Sequence, residues 1–253
     1  MVRPKMVPIF IKNKFLRYTN MANRILFLII LIGLFATTSL KAQDELSKKL
    51  SNVNIKGTNF ITYPAYSGSP YFNQQFLIGE LDFLNGTKIE GIGLRYSSYR
   101  DEIIYYNSDI YTQIVIDKIS LKGFSFTDAN GVKRVFRRQN YTGFLNGERF
   151  FEVLSDGEIA LLAYRKVDLG TCDPSYSKLG LAYQKSYSYY IYSATKGYSP
   201  IALNRNSLLS KFTKPNQKLA KKVLRKNWVT FTDEASFVFA WNLLKENGIP
   251  INF

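Results

Sequence analysis

From residue 75 to residue 203 the chain is a succession of short segments in which apolar and polar residues alternate, each closed by a turn signal. Gln75 to Phe83 alternates, with Phe76, Ile78 and Leu81 among its apolar members, and runs into Asn85-Gly86, a strong hairpin signal. Its partner is Lys88 to Tyr96. There Glu90, Ile92, Leu94 and Tyr96 read as the buried set against Ile89, Gly91, Gly93 and Arg95, and the two glycines permit curvature or close backbone approach. Further strands are predicted over Glu102–Tyr106, Ile110–Ile116, Ile119–Thr127, Val132–Arg138, Arg149–Leu154, Glu158–Val167, Leu181–Ser193 and Tyr198–Leu203. The turns between them include Asn107-Ser108-Asp109, Asn130-Gly131, Ser155-Asp156-Gly157 and Lys196-Gly197, and Gly170 to Gly180 reads as a loop. This spacing predicts a mainly β (α+β) fold, an antiparallel meander in a barrel-like or sandwich arrangement.

After residue 203 the period changes. Asn206-Ser207 is expected to cap a short helix through Phe212. Thr213 and Pro215 then open a second helix with the apolar stripe Leu219, Ala220, Val223 and Leu224. Thr232 is expected to cap a third helix, with Asp233 and Glu234 at its positive end, Phe237, Trp241 and Leu244 at helical spacing, and Gly248 as the stop. These helices are expected to dock on the β domain as a C-terminal subdomain of about three helices, residues 204–253.

The N-terminal pattern is of another kind. Arg24 precedes an unbroken apolar run, Ile25 to Ala36, followed by a short stretch ending on Ala42. A run this short suits an export signal, since a membrane span takes about 20 apolar residues. Residues 21–42 therefore read as a signal peptide, with cleavage after Ala42 and an uncleaved anchor as the alternative. Residues 1–20 are basic and acid-free, and read as a doubtful extension ahead of the Met21 start. Residues 43–67 are expected to be a flexible lead-in and 68–203 the antiparallel β domain. The expected location is outside the cytoplasm: periplasmic, outer-membrane-associated or secreted, with at most peripheral membrane contact after cleavage. Cys172 is the only cysteine, so no intramolecular disulfide supports the fold.

Charge sharpens the picture. Residues 43–173 are nearly neutral, whereas residues 174–253 carry twelve basic and three acidic side chains, with no acid between Pro174 and Thr232. Lys214, Lys218, Lys221, Lys222, Arg225 and Lys226 cluster on the second helix, which points to an anionic envelope component or partner protein. The plainer reading is a solvated lysine-rich face. Lys133, Arg134, Arg137 and Arg138 form a second basic run. An exported chain seldom meets nucleic acid, so none is expected as a partner.

Histidine is absent, which removes Ser-His-Asp and Cys-His catalysis and the commonest metal ligand. No phosphate loop, dinucleotide fingerprint or zinc spacing appears, so no cofactor and no metal are expected. Paired carboxylates can hydrolyse glycosides without histidine. Asp101 and Glu102 are adjacent, however, and would face opposite sides of a strand, while Glu148 and Glu152 on one strand stand too far apart for such a pair. Tyr187, Tyr189, Tyr190 and Tyr192 share one strand, the first two facing one side and the last two the other. They either close the core or offer an aromatic binding surface for sugar rings or a peptide.

GSPYFNQQFLIGELDFLNGTKIEGIGLRYSSYRDEIIYY (68–106) resembles a family of exported β-rich proteins of unknown function found in Bacteroidetes-type bacteria. The resemblance lies in the opening GSPY, the Asn/Asp-Gly hairpin, LRY and a strand with DEI, and it continues in FFEVLSDGEIALLAYRKVDL (150–169) and YYIYSATKGYSPIALNRNSLLSKF (189–212). Ser97 stands where members often have Asn. The resemblance implies export and a β architecture and carries over no functional residue. Two function classes follow: a non-enzymatic envelope protein that binds or scaffolds, or a carboxylate-dependent hydrolase of polysaccharide or peptidoglycan. The lack of histidine and of a workable acid pair favours the first.

Overall fold

The structure, a computed structural model, describes residues 55–141, 147–173, 175 and 179–252. The signal segment at 21–42 and the first part of the lead-in lie outside the described residues. The strands are β1 (Gly57–Asn59), β2 (Leu77–Phe83), β3 (Lys88–Ser97), β4 (Glu102–Asn107), β5 (Thr112–Ile116), β6 (Leu121–Thr127), β7 (Lys133–Tyr141), β8 (Gly147–Ser155), β9 (Ala160–Thr171), β10 (Leu181–Ser193) and β11 (Gly197–Pro200). They form one antiparallel sheet in the order β1-β5-β4-β3-β2-β6-β7-β8-β9-β10-β11. Its edge strands do not pair with each other, so the meander is a single open sheet. Two meanders meet at β2, which pairs with β3 on one side and β6 on the other.

The turn residues act as their chemistry dictates. Gly86, Gly131, Gly157 and Gly197 all adopt positive φ at the tips of hairpins. Gly91 does something further. It has φ 75° and lies where the β2–β3 register slips, Gly79 facing Ile92 but Glu80 facing Glu90. The extra residue is a glycine bulge. It resets the alternation, so Ile89 is buried together with Ile92, Leu94 and Tyr96, while Glu90 stays exposed.

One face of the sheet carries an aromatic core. Phe124 and Phe136 stack with centroids 4.7 Å apart, Tyr96 lies 5.1 Å from Phe136, and Phe150 meets Phe124 edge-on at 5.0 Å. Full burial of such side chains stabilises by roughly 1.5–3 kcal/mol each. Beside them Asp101, in the turn before β4 at φ 58°, accepts hydrogen bonds from the Tyr96 hydroxyl (2.6 Å) and the Phe150 amide (3.3 Å) and pairs with Lys118. Burial pushes its carboxyl up, against the lowering effect of Lys118, Tyr96 and Phe150.

Residues 55–67, expected as flexible lead-in, are instead part of the structure. β1 pairs with β5, Ser67 bridges to Ala182 on β10, and the Tyr63 hydroxyl donates to Ser97 at 2.9 Å. Arg95 sits 4.0 Å from the Tyr71 ring and 4.4 Å from the Phe76 ring, which fastens the segment that follows. A three-residue strand reading Gly-Thr-Asn has no alternation to announce it, and only its tertiary partner makes it a strand. Ser97 is fully buried and serves as a local acceptor.

Three helices follow: α1 (Arg205–Leu209), α2 (Lys214–Lys226) and α3 (Glu234–Glu246). The caps fall one or two residues from expectation. Asn204 caps α1 by accepting from the Ser207 amide, and Asp233, not Thr232, caps α3 in a reciprocal capping box with Ser236. The helices have no separate core. Leu208, Phe212, Ala220, Leu224, Phe237, Trp241 and Leu244 pack with Leu161 and Ile191 of the sheet in one cluster.

Trp241 is 1% exposed in that cluster and Trp228, in the turn after α2, is 90% exposed. Trp241→Ala is expected to lower stability by about 3–5 kcal/mol, and Trp228→Ala to change it by no more than about 0.5 kcal/mol. Urea unfolding followed by far-ultraviolet circular dichroism checks both.

Candidate functional site

The two faces of the C-terminal half of the sheet do different things, and β10 shows the division. Its alternation sends Tyr187, Tyr189 and Ile191 to the face covered by the helices, and Tyr190 and Tyr192 to the opposite face, as the sequence pattern predicts.

On the helix-covered face, the charged residues are tied to one another. Arg165 of β9 pairs with Glu152 of β8 and donates twice to Glu234 in the first turn of α3, at 2.7 Å each. Arg134 of β7 donates to the other oxygen of Glu152 at 3.0 Å and to Asp128 at 2.9 Å. The Tyr189 hydroxyl donates to Glu234 at 2.7 Å, and the Tyr187 ring lies 4.8 Å from the Arg165 guanidinium. Tyr187 and Tyr189 thus close the core rather than offer a surface. Burial alone would lower the Arg165 pKa, but Glu234 and Glu152 push it above its usual value. Burial raises the Glu234 carboxyl, and the Arg165 and Tyr189 hydrogen bonds outweigh it and hold the net value below normal. The acids that converge here are therefore counter-ions of arginine, not an open acid–base pair.

The basic run of β7 is likewise neutralised. Lys133 pairs with Glu80, Arg134 with Asp128 and Glu152, Arg137 with Asp156, and Arg138 with Glu148. It does not form the anion-attracting patch its sequence suggests.

The opposite face holds an open pocket of about 740 Å³, lined by Tyr141, Tyr164, Tyr190, Tyr192 and Tyr198 with Asn140, Ser186 and Ser188 and with Lys166 and Lys196. Phe151 is fully buried beneath it, with the rings of Tyr141, Tyr164, Tyr190 and Tyr198 5.4–5.8 Å away. The Tyr141 hydroxyl donates to that of Tyr190 at 3.2 Å, and Tyr198 donates to Gln139 at 3.1 Å. Burial, then the Tyr141 contact, pushes the Tyr190 phenol up to about 12, and burial raises Tyr198 further. Sequence reasoning singled out Tyr190 and Tyr192 but missed Tyr141, Tyr164 and Tyr198. The Lys196-Gly197 turn is the signal that could have found Tyr198, since it sets Tyr192 opposite Tyr198.

The basic helix α2 docks through Ala220 and Leu224, which are buried. Lys214, Lys218, Lys221, Lys222, Arg225 and Lys226 are all exposed, and none forms an ion pair with a described residue. Lys214, Lys218, Lys222 and Lys226 succeed one another four residues apart, one column of like charge, and Lys214 lies in the first turn where an acid would suit the helix dipole.

Among the described residues no group of three potential ligands is placed to hold a metal, and no helix is long and apolar enough to cross a membrane. No protein-family model, curated protein or solved structure matches the chain.

Removing Arg165 would leave Glu152, 2% exposed, short of a counter-ion. Arg165→Met is expected to cost about 3–5 kcal/mol, and adding Glu152→Gln to recover part of it. A double-mutant cycle by chemical denaturation checks this.

Glu234 has a depressed folded pKa. Its contribution is therefore present above the unfolded value of about 4.3 and lost as pH falls through the lower folded value. Glu234→Gln is expected to flatten the acid limb of a stability–pH profile while leaving stability above pH ~6 nearly pH-independent, as before.

Proposed function

We propose that this chain is an exported, non-enzymatic binding protein of the cell envelope, attached reversibly to an anionic envelope component through the outer face of α2. The observation that carries the reading is the column of exposed basic residues on that helix, none of them ion-paired with a described residue. A helix shaped for stability alone would intersperse acids at four-residue spacing and place them in the first turn. Here each neighbour repels the next, and the field adds outward. The export signal read at residues 21–42 and the resemblance of residues 68–106 to exported β-rich proteins support the same compartment. Glu152 and Glu234, the acids that converge beneath α3, are both paired with arginine, which weighs against the hydrolase reading.

The test is co-sedimentation with isolated envelope fragments across a salt series. Binding is expected to weaken steeply as the Debye length falls from about 10 Å at 0.1 M to about 3 Å at 1 M. Changing Lys218, Lys221 and Lys222 together to glutamate is expected to abolish it. Thermal stability should stay equal or rise, because the new carboxylates would stand four residues from Lys214, Arg225 and Lys226, a favourable spacing on a helix. Binding that ignores both salt and the triple change would leave α2 as a solvated face. N-terminal sequencing of the envelope-located protein is expected to find residues up to about Ala42 removed.

A further inference from the structure

We infer that the tyrosine-lined pocket on the outer face of β7–β11 is a binding site for a neutral oligosaccharide. Its size, about 740 Å³, falls within the roughly 300–1,000 Å³ of small-ligand sites. Its shape comes from the sheet itself. Tyr141, Tyr164, Tyr190 and Tyr198 stand on four strands whose registers the ladders fix, so the rings are held on rigid elements and little ordering is left to bind a ligand.

The chemistry of the lining selects the ligand class. Tyrosine offers a flat apolar face and a hydroxyl, the two features that meet the C–H face and the equatorial hydroxyls of a sugar ring. The tyrosine and serine hydroxyls and the Asn140 amide group can each both give and take a hydrogen bond, as a polyol also does. A proline-rich peptide also docks on aromatic grooves, but its backbone offers only acceptors and would leave half of that capacity unused. The Tyr192 hydroxyl has no hydrogen-bond partner among the described residues, although its ring packs 4.7 Å from Tyr198.

Five tyrosines and two serines line the pocket beside two lysines, so neutral hydroxyl chemistry dominates it. No acid lines the pocket among the described residues. Its lysines are both engaged: Lys166 pairs with Asp168 at 2.6 Å, and Lys196 lies against Asn252 at 3.5 Å. The raised phenols stay protonated, so the hydroxyls keep both roles across the neutral range. The site lies on β7–β11 and uses no residue of α2, so it is independent of the attachment proposed above.

The experiment is isothermal titration calorimetry of the intact protein with cellohexaose, xylohexaose, maltohexaose and chitohexaose, with oligoproline as the competing probe. Saturable binding to at least one hexasaccharide is expected, unchanged between about pH 6 and about pH 8, where the phenols stay protonated. Tyr192→Ala is expected to weaken it by at least about fivefold, Tyr192→Phe less, and the joint change of Lys218, Lys221 and Lys222 to glutamate not at all. Circular dichroism of each variant confirms that the fold is kept. Absence of binding to all four sugars, binding that survives both Tyr192→Ala and Tyr198→Ala in a folded protein, or saturation by oligoproline alone would each overturn the inference.

Discussion

Arg165 is the residue on which the two halves of the structure depend. It lies in the middle of β9, on the face where sheet and helices meet, and holds Glu152 on the neighbouring strand and Glu234 at the start of α3. Only a planar guanidinium can serve both carboxylates and still present its face to the Tyr187 ring. The association is not free of cost: burying these charges loses hydration, and a well-packed apolar replacement of the whole set could be as stable. What the network adds is specification. A slip of one residue between β8 and β9 would carry Arg165 to the opposite face, away from Glu234, and strand Glu152 without its second partner. The same pairing sets the position of α3, because Glu234 sits in the first turn beside its cap Asp233, where a carboxylate also suits the helix dipole.

Fixing that register has consequences on the far side of the sheet. With Tyr187 and Tyr189 committed to Arg165 and Glu234, strand alternation leaves Tyr190 and Tyr192 no choice but the outer face. There they meet Tyr198 across a short hairpin and Tyr141 across the sheet. The three described helices cover the other face, so among the described residues the outer tyrosines have the buried Phe151 beneath them and an open pocket above. The same helical layer holds α2 by Ala220 and Leu224 and turns its basic side outward.

What the sequence made legible was local. Asn85-Gly86, Asn130-Gly131, Asp156-Gly157 and Lys196-Gly197 mark real hairpins, because a positive φ is a demand that glycine meets by itself. The three helices and the split of Tyr187 and Tyr189 from Tyr190 and Tyr192 on β10 follow from period alone. What it hid was non-local. The β2–β6 pairing joins strands separated by three others in the chain, and nothing in either segment names the other. β1 has no pattern of its own. The basic residues of β7 read as a patch because their counter-ions come from β2, the turn after β6, β8 and the turn after β8. Among the outer tyrosines, Tyr141 and Tyr164 are neighbours of Tyr190 only once the order of four strands is known.

On the proposed reading the two exposed surfaces divide the work by range. A row of cations with no ion pair among the described residues acts over roughly a Debye length, about 8 Å at physiological ionic strength, and it discriminates poorly among anions. An aromatic, hydroxyl-lined pocket acts only at contact, and its selectivity comes from how many hydroxyls it satisfies at once. Placing both on one surface would let the cations dominate and blur the recognition. The structure keeps them on separate elements, the cations on α2 and the tyrosines on the outer face of β7–β11, where Asp168 neutralises Lys166 at the pocket's edge. That local neutralisation gives the separation physical content: Lys166 is answered within the strand that carries it, while the cations of α2 have no such counter-ion among the described residues.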